Sequence, residues 1–159
     1  MSVPEVVPIA YEPDYRTATI GRWDGGQFLA SVTAAFPEGA GRMGDDWRLH
    51  KRWYAVLHRF DAAGRHLESR IESTGTRADG ERRAVEAAQT LLATWLDALP
   101  GRRYGPVAVA PFAVRHEGAL FGLVVEDHSE DEDDEEGNWV ELHPDGLGFS
   151  APWDGTYDT

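Results

Sequence analysis

The chain has 159 residues, no cysteine, and 28 acidic side chains against 15 basic ones, a net charge of −13. That length suits a single domain able to bury a core of its own. The missing thiols exclude disulfide frameworks, thiolate zinc sites and cysteine nucleophiles, and 42% hydrophobic residues exclude wholesale disorder.

The acidity is concentrated in one place. Nine of the acids fall within residues 126–136, interrupted only by His128 and Ser129. Without them nineteen acids face fifteen bases, a net of −4, which is an ordinary surface. No basic stripe suited to a phosphate backbone is present, so nucleic-acid binding is not expected. Residues 1–13 lack a cationic leader region, and Pro4 and Pro8 break their apolar content. The apolar runs 106–114 and 118–125 fall short of the ~20 residues of a spanning helix. The expectation is a cytoplasmic protein without membrane contact.

Taken in chain order, the first element is a hairpin. Residues 17–23 lead through Asp24-Gly25-Gly26 into 27–36, with Phe28, Val32 and Phe36 on one face. A glycine-containing loop spans 37–46. A second hairpin joins 53–60 to 65–73 through Asp61-Ala62-Ala63-Gly64, with Gly64 suited to a left-handed conformation. Leu67 and Ile71 are the expected inner face of its second strand.

Residues 81–99 carry the one helical period, with Val85, Ala88, Leu92, Trp95, Leu96 and Leu99 at three- and four-residue intervals. Asp79 or Gly80 is the expected cap, and Pro100-Gly101 the stop. A third hairpin is read from 107–115, His116-Glu117-Gly118 and 119–126, with Pro111 implying an edge or a bulge. The fourth pairs 139–143 with 147–151 through Pro144-Asp145-Gly146. Together these predict an α+β fold: a mostly antiparallel sheet built of hairpins, with the helix 81–99 packed on it. The domain expectation is one unit, 1–159, with an acidic flexible loop at 127–137.

Catalytic and ligand motifs fail on their mechanical requirements. Gly146-Leu147-Gly148-Phe149-Ser150-Ala151 matches the dinucleotide string, but Pro152 follows where a helix must open to hold the pyrophosphate. Ser150 lacks the second glycine of a nucleophile elbow. His116-Glu117 meets Leu120 where the second histidine of a zinc motif belongs. His58 and His66 share a face if their turn has three residues, and lie on opposite faces if it has four. An EF-hand register with Gly137 at position six places His143, not glutamate, at position twelve. No catalytic residue, cofactor or metal ligand is therefore assigned. The candidate partner-binding residues are Glu130, Asp131, Glu132, Asp133, Asp134, Glu135 and Glu136, and the partner they imply is a basic protein.

Several stretches carry a family resemblance. They are Ile9-Ala10-Tyr11-Glu12-Pro13-Asp14-Tyr15-Arg16, Tyr54-Ala55-Val56-Leu57-His58-Arg59-Phe60-Asp61, Leu96-Asp97-Ala98-Leu99-Pro100-Gly101-Arg102 and Phe121-Gly122-Leu123-Val124-Val125-Glu126. The most specific is the tail, from Leu147-Gly148-Phe149 through Pro152-Trp153-Asp154-Gly155-Thr156-Tyr157-Asp158-Thr159. Together they resemble small proteins of GC-rich bacteria labelled formate hydrogenlyase regulatory protein HycA, over nearly the whole chain. The resemblance implies a regulator of hydrogenase transcription that acts through protein contacts.

The first functional expectation is thus a non-enzymatic regulatory or protein-binding module. An immunity-type protein that blocks a toxin through its acidic surface is the second. A small-ligand binder or enzyme with a site near the tail is the third, and a pocket holding Asp154, Tyr157 and a histidine would favour it.

Overall fold

The computed structural model describes residues 3–36, 49–126 and 138–159. Its strands are β1 (Val7–Ile9), β2 (Ile20–Trp23), β3 (Gly26–Ala35), β4 (Arg52–Phe60) and β5 (His66–Thr76), followed by the helix α1 (Arg77–Asp97). After the helix come β6 (Arg103–Tyr104), β7 (Val107–Val109), β8 (Phe112–His116), β9 (Ala119–Glu126), β10 (Trp139–His143) and β11 (Leu147–Phe149). They form a five-stranded sheet in the order β5-β4-β3-β2-β6, a four-stranded sheet β11-β10-β9-β8 and a pair β1-β7. Every pairing between these strands is antiparallel. The fold is α+β.

The alternation of side chains along β3 and β4 gives the large sheet two apolar faces. Phe28 and Ala30, with Ala55 and Leu57, point to one face and pack against Ala88, Leu92, Trp95, Leu96 and Leu99. Leu29 and Phe60 point to the other, where they meet Leu123 of β9, Val140 and Leu142 of β10, and Leu147 and Phe149 of β11. Tyr54 and Val56 continue that second face onto Ala119 and Phe121. The layers therefore run helix, five-stranded sheet, four-stranded sheet, and β3 and β4 are covered on both sides.

Helix α1 begins with a capping box one turn before the expected start. The Asp79 N–H donates to the Thr76 hydroxyl at 3.3 Å, and the Thr76 N–H donates to the Asp79 carboxylate at 3.1 Å. Gly80 then leaves the helical region (φ 112°), so the uninterrupted helix starts at Glu81. Ala84 takes a core position beside the predicted stripe, while Val85 is only half-buried.

Three other expectations change. The run 107–115 divides at Ala110-Pro111 into β7 and β8, which belong to different sheets. Proline has no N–H to continue a ladder, and the chain crosses between sheets there. Phe36 lies beyond β3 and is 41% exposed rather than continuing the face of Phe28. Leu67 is also exposed, at 56%. Phe60 pairs with His66 and Arg59 with Glu68, so Leu67 is the extra residue of a bulge and leaves the inner face. Gly64 takes the expected positive φ of 93°, and a Cβ there would lie 2.5 Å from the Ala108 carbonyl oxygen.

Trp95 is 4% exposed in the centre of the helix interface, with the Arg70 guanidinium 4.6 Å from its ring. Trp95→Ala should cost about 3–5 kcal/mol, as large-to-small core changes do. Denaturant melts check this; an unchanged midpoint would contradict the packing.

Candidate functional site

The geometry that opens a site is the early end of β2. Its pairing with β3 reaches back only to Ile20, opposite Leu29, and a last contact follows from the Ala30 N–H to the Thr19 carbonyl at 3.0 Å. Before it the chain is held in a separate turn by Thr17, a buried residue. The Thr17 hydroxyl donates to the Ala10 carbonyl at 2.7 Å and accepts from the Glu12 N–H at 3.1 Å. The segment before Thr19 therefore stands away from β3. Between it, the later half of β3 and the last turns of α1 lies a cavity of about 580 Å³.

Its floor is apolar, made by Val32 with Leu92, Ala93 and Leu96. Tyr15 and Arg16 stand on one rim, Arg102 and Tyr104 on another, and Asp145 enters from the β10–β11 turn. Arg102 Nη1 donates to the Leu96 carbonyl and, at 3.4 Å, to the Asp97 carboxylate. The Leu96 carbonyl, at the helix end, also accepts from the Leu99 N–H at 3.0 Å. The Arg102 guanidinium also lies 5.7 Å from the Tyr104 ring centre. Arg16 forms neither a hydrogen bond nor an ion pair with any described residue. Asp145 Oδ1 accepts from the Thr33 hydroxyl at 2.5 Å. Burial raises the Asp145 pKa, while that hydrogen bond and the charge of Arg16 pull it back down.

The tail buttresses the same site. Tyr157 stacks on Tyr15 at 6.3 Å between ring centres, and its hydroxyl is 3.0 Å from that of Thr17. Thr159 Oγ1 lies 3.1 Å from the Tyr15 hydroxyl. Asp154 is exposed and accepts from the Thr156 N–H and hydroxyl at 3.1 and 2.7 Å. The tail thus supports the rim of the groove through Tyr157 and Thr159, while Asp154 turns back onto the tail itself.

Two histidine clusters lie elsewhere. The bulge at Leu67 brings His58 and His66 to one face, where both rings reach the Ser69 hydroxyl, at 2.6 and 2.7 Å. Phe112 stacks on His66 and meets His58 edge-on. Burial first, and the neighbouring His66 second, lower the His58 pKa to about 3. So weak a base is poorly matched to proton transfer near neutrality, and the arrangement reads as a polar tie inside the core. Along the β9–β10 ladder, His143 Nε2 lies 3.3 Å from a Glu126 oxygen and 3.0 Å from a Glu141 oxygen. These three potential metal ligands converge within 4.8 Å of one another, an arrangement that depends on strand register and so went unassigned from the sequence.

The expected acidic loop, 127–137, with Glu130, Asp131, Glu132, Asp133, Asp134, Glu135 and Glu136, lies outside the described residues. Its described flanks, Glu126 and Trp139, are direct partners across the β9–β10 ladder. No family model, curated protein or solved structure matches the chain.

The depressed His58 sets a pH dependence. The unfolded chain takes up this proton near pH 6.5 and the folded one only near 3, so the stabilisation is complete above 6.5 and is lost as pH falls toward 3. The loss should approach about 1.4 kcal/mol per pH unit inside that window. His66, lowered by its own burial, acts in the same direction. Melts of the wild type and His58→Asn between pH 6.5 and 5 check this. The variant should show the shallower slope, and parallel slopes would contradict a neutral buried imidazole.

Proposed function

We propose that the protein is a non-enzymatic, cytoplasmic protein-binding module that engages a basic partner, in the regulatory role implied by its resemblance to the HycA-labelled family. The observation that supports this reading is the placement of charge. Nine acids are concentrated in residues 126–136 of a chain that is otherwise close to balanced. That run connects two paired strands, and Glu126 and Glu141 bring its sign onto the sheet itself. Concentrated charge of one sign accelerates encounter with a partner of the other sign and disfavours like-charged competitors.

A second reading, a small-ligand binder, is favoured by the groove beside Tyr15 and its contact with the tail.

The first reading is tested by replacing residues 129–136 with a short Gly/Ser linker. Stability should change little, because loop-closure entropy varies slowly with length. Association with the basic partner, followed by stopped flow, should slow by at least about tenfold at low salt. The difference should shrink at high salt, where exposed charges are screened. Equal low-salt rates for the two proteins would contradict the reading.

A further inference from the structure

We propose that the groove between α1 and the open edge of β3 binds a free α-amino acid with an apolar side chain, its ammonium on Asp145 and its carboxylate on Arg16. This deepens the small-ligand reading and rests on it.

The argument starts from which charges in the groove are already satisfied. Arg102 and Asp97 are joined to each other and to the end of the helix. Arg16 and Asp145 are not joined by an ion pair, although Arg16 is near enough for its charge to act on the Asp145 carboxyl. Asp145 Oδ1 is held by Thr33, which fixes the carboxylate, and Oδ2 has no described partner. Among the described residues, the groove therefore presents an anchored anion and a cation that forms no ion pair. A partly buried carboxylate with no ion-pair partner is costly, and a ligand ammonium relieves that cost. An arginine fork suits a ligand carboxylate, which it can hold through two parallel hydrogen bonds.

Below these charges the floor of Val32, Leu92 and Leu96 is apolar, and the cavity of about 580 Å³ is of small-ligand size. A molecule that answers all three features carries a positive group, a negative group and an apolar body. The smallest such molecule is an apolar α-amino acid.

The test uses the full chain, with L-leucine and L-phenylalanine as probes, followed by calorimetry and by NMR shifts of the Val32 and Leu92 amides. N-acetyl-L-leucine, which lacks the ammonium, and L-leucinamide, which lacks the carboxylate, are the controls. The expected result is saturable binding of the amino acids below about 10 mM, with both analogues at least tenfold weaker. Arg16→Gln changes an exposed residue and should retain the fold while weakening L-leucine at least tenfold. Asp145→Asn, which keeps an acceptor for Thr33, should do the same. If either analogue binds as well as L-leucine, or if both variants bind it like the wild type, the zwitterion assignment is overturned while the small-ligand reading survives. If none of the four compounds shifts the groove amides, both are overturned.

Discussion

One buried amide ties the β1-β7 pair to the five-stranded sheet. Gln27 at the start of β3 is 1% exposed, and its side chain copies a backbone ladder. Nε2 donates to the Ala108 carbonyl at 3.0 Å, and the Ala108 N–H donates to Oε1 at 2.9 Å. A third bond runs from Nε2 to the Ala62 carbonyl at 3.3 Å in the β4–β5 turn. The same turn is fixed from the other side, where the Ala110 N–H donates to the Gly64 carbonyl at 2.9 Å. Strand β7 is thereby held against the large sheet, and β7 in turn holds β1. An apolar side chain at Gln27 would take these partners from the N–H and carbonyl of half-buried Ala108, at up to about 1–3 kcal/mol each.

From that tie the two ends of the molecule acquire different characters. Chain leaving β7 passes Pro111 into β8 and builds the four-stranded sheet over Leu29, Phe60 and Val56. The acidic run attaches where β9 ends and β10 begins. Chain leaving β1 turns at Thr17 before it joins the large sheet, and this detour keeps the later half of β3 open beside α1. A groove at that place follows from the sheet's geometry, because a strand beside β3 for its full length would occupy it. The β10–β11 turn then delivers Asp145 to the groove from the opposite layer.

Much of this was legible in the sequence, for identifiable reasons. The helix was marked by its three- and four-residue period, and the hairpins by glycine turns between apolar runs. Those are local signals, and they survive whatever the rest of the chain does. Leu67 was misplaced because alternation carries no sign of a bulge, and the same bulge decides that His58 and His66 share a face. The pairing of β1 with β7 joins residues a hundred positions apart, and nothing in either triplet announces the other. Arg16 and Asp145 likewise come to one groove from different sheets. A detour before a strand and a carboxylate in a turn look ordinary until the layers are assembled. Tyr157 is the partial exception, since the tail stood out by resemblance and proves to brace Tyr15 on the groove's rim.

Native-state hydrogen exchange tests most directly whether the Gln27 tie organises the fold. Ala108 sits in a three-residue strand, where amides ordinarily exchange through local fraying. If its N–H is locked onto the Gln27 side chain, it should exchange only through global unfolding, as slowly as Ala55 and Leu57 in the centre of β4. Rapid exchange at Ala108, with Ala55 and Leu57 still protected, would show that β7 opens independently and would contradict the account.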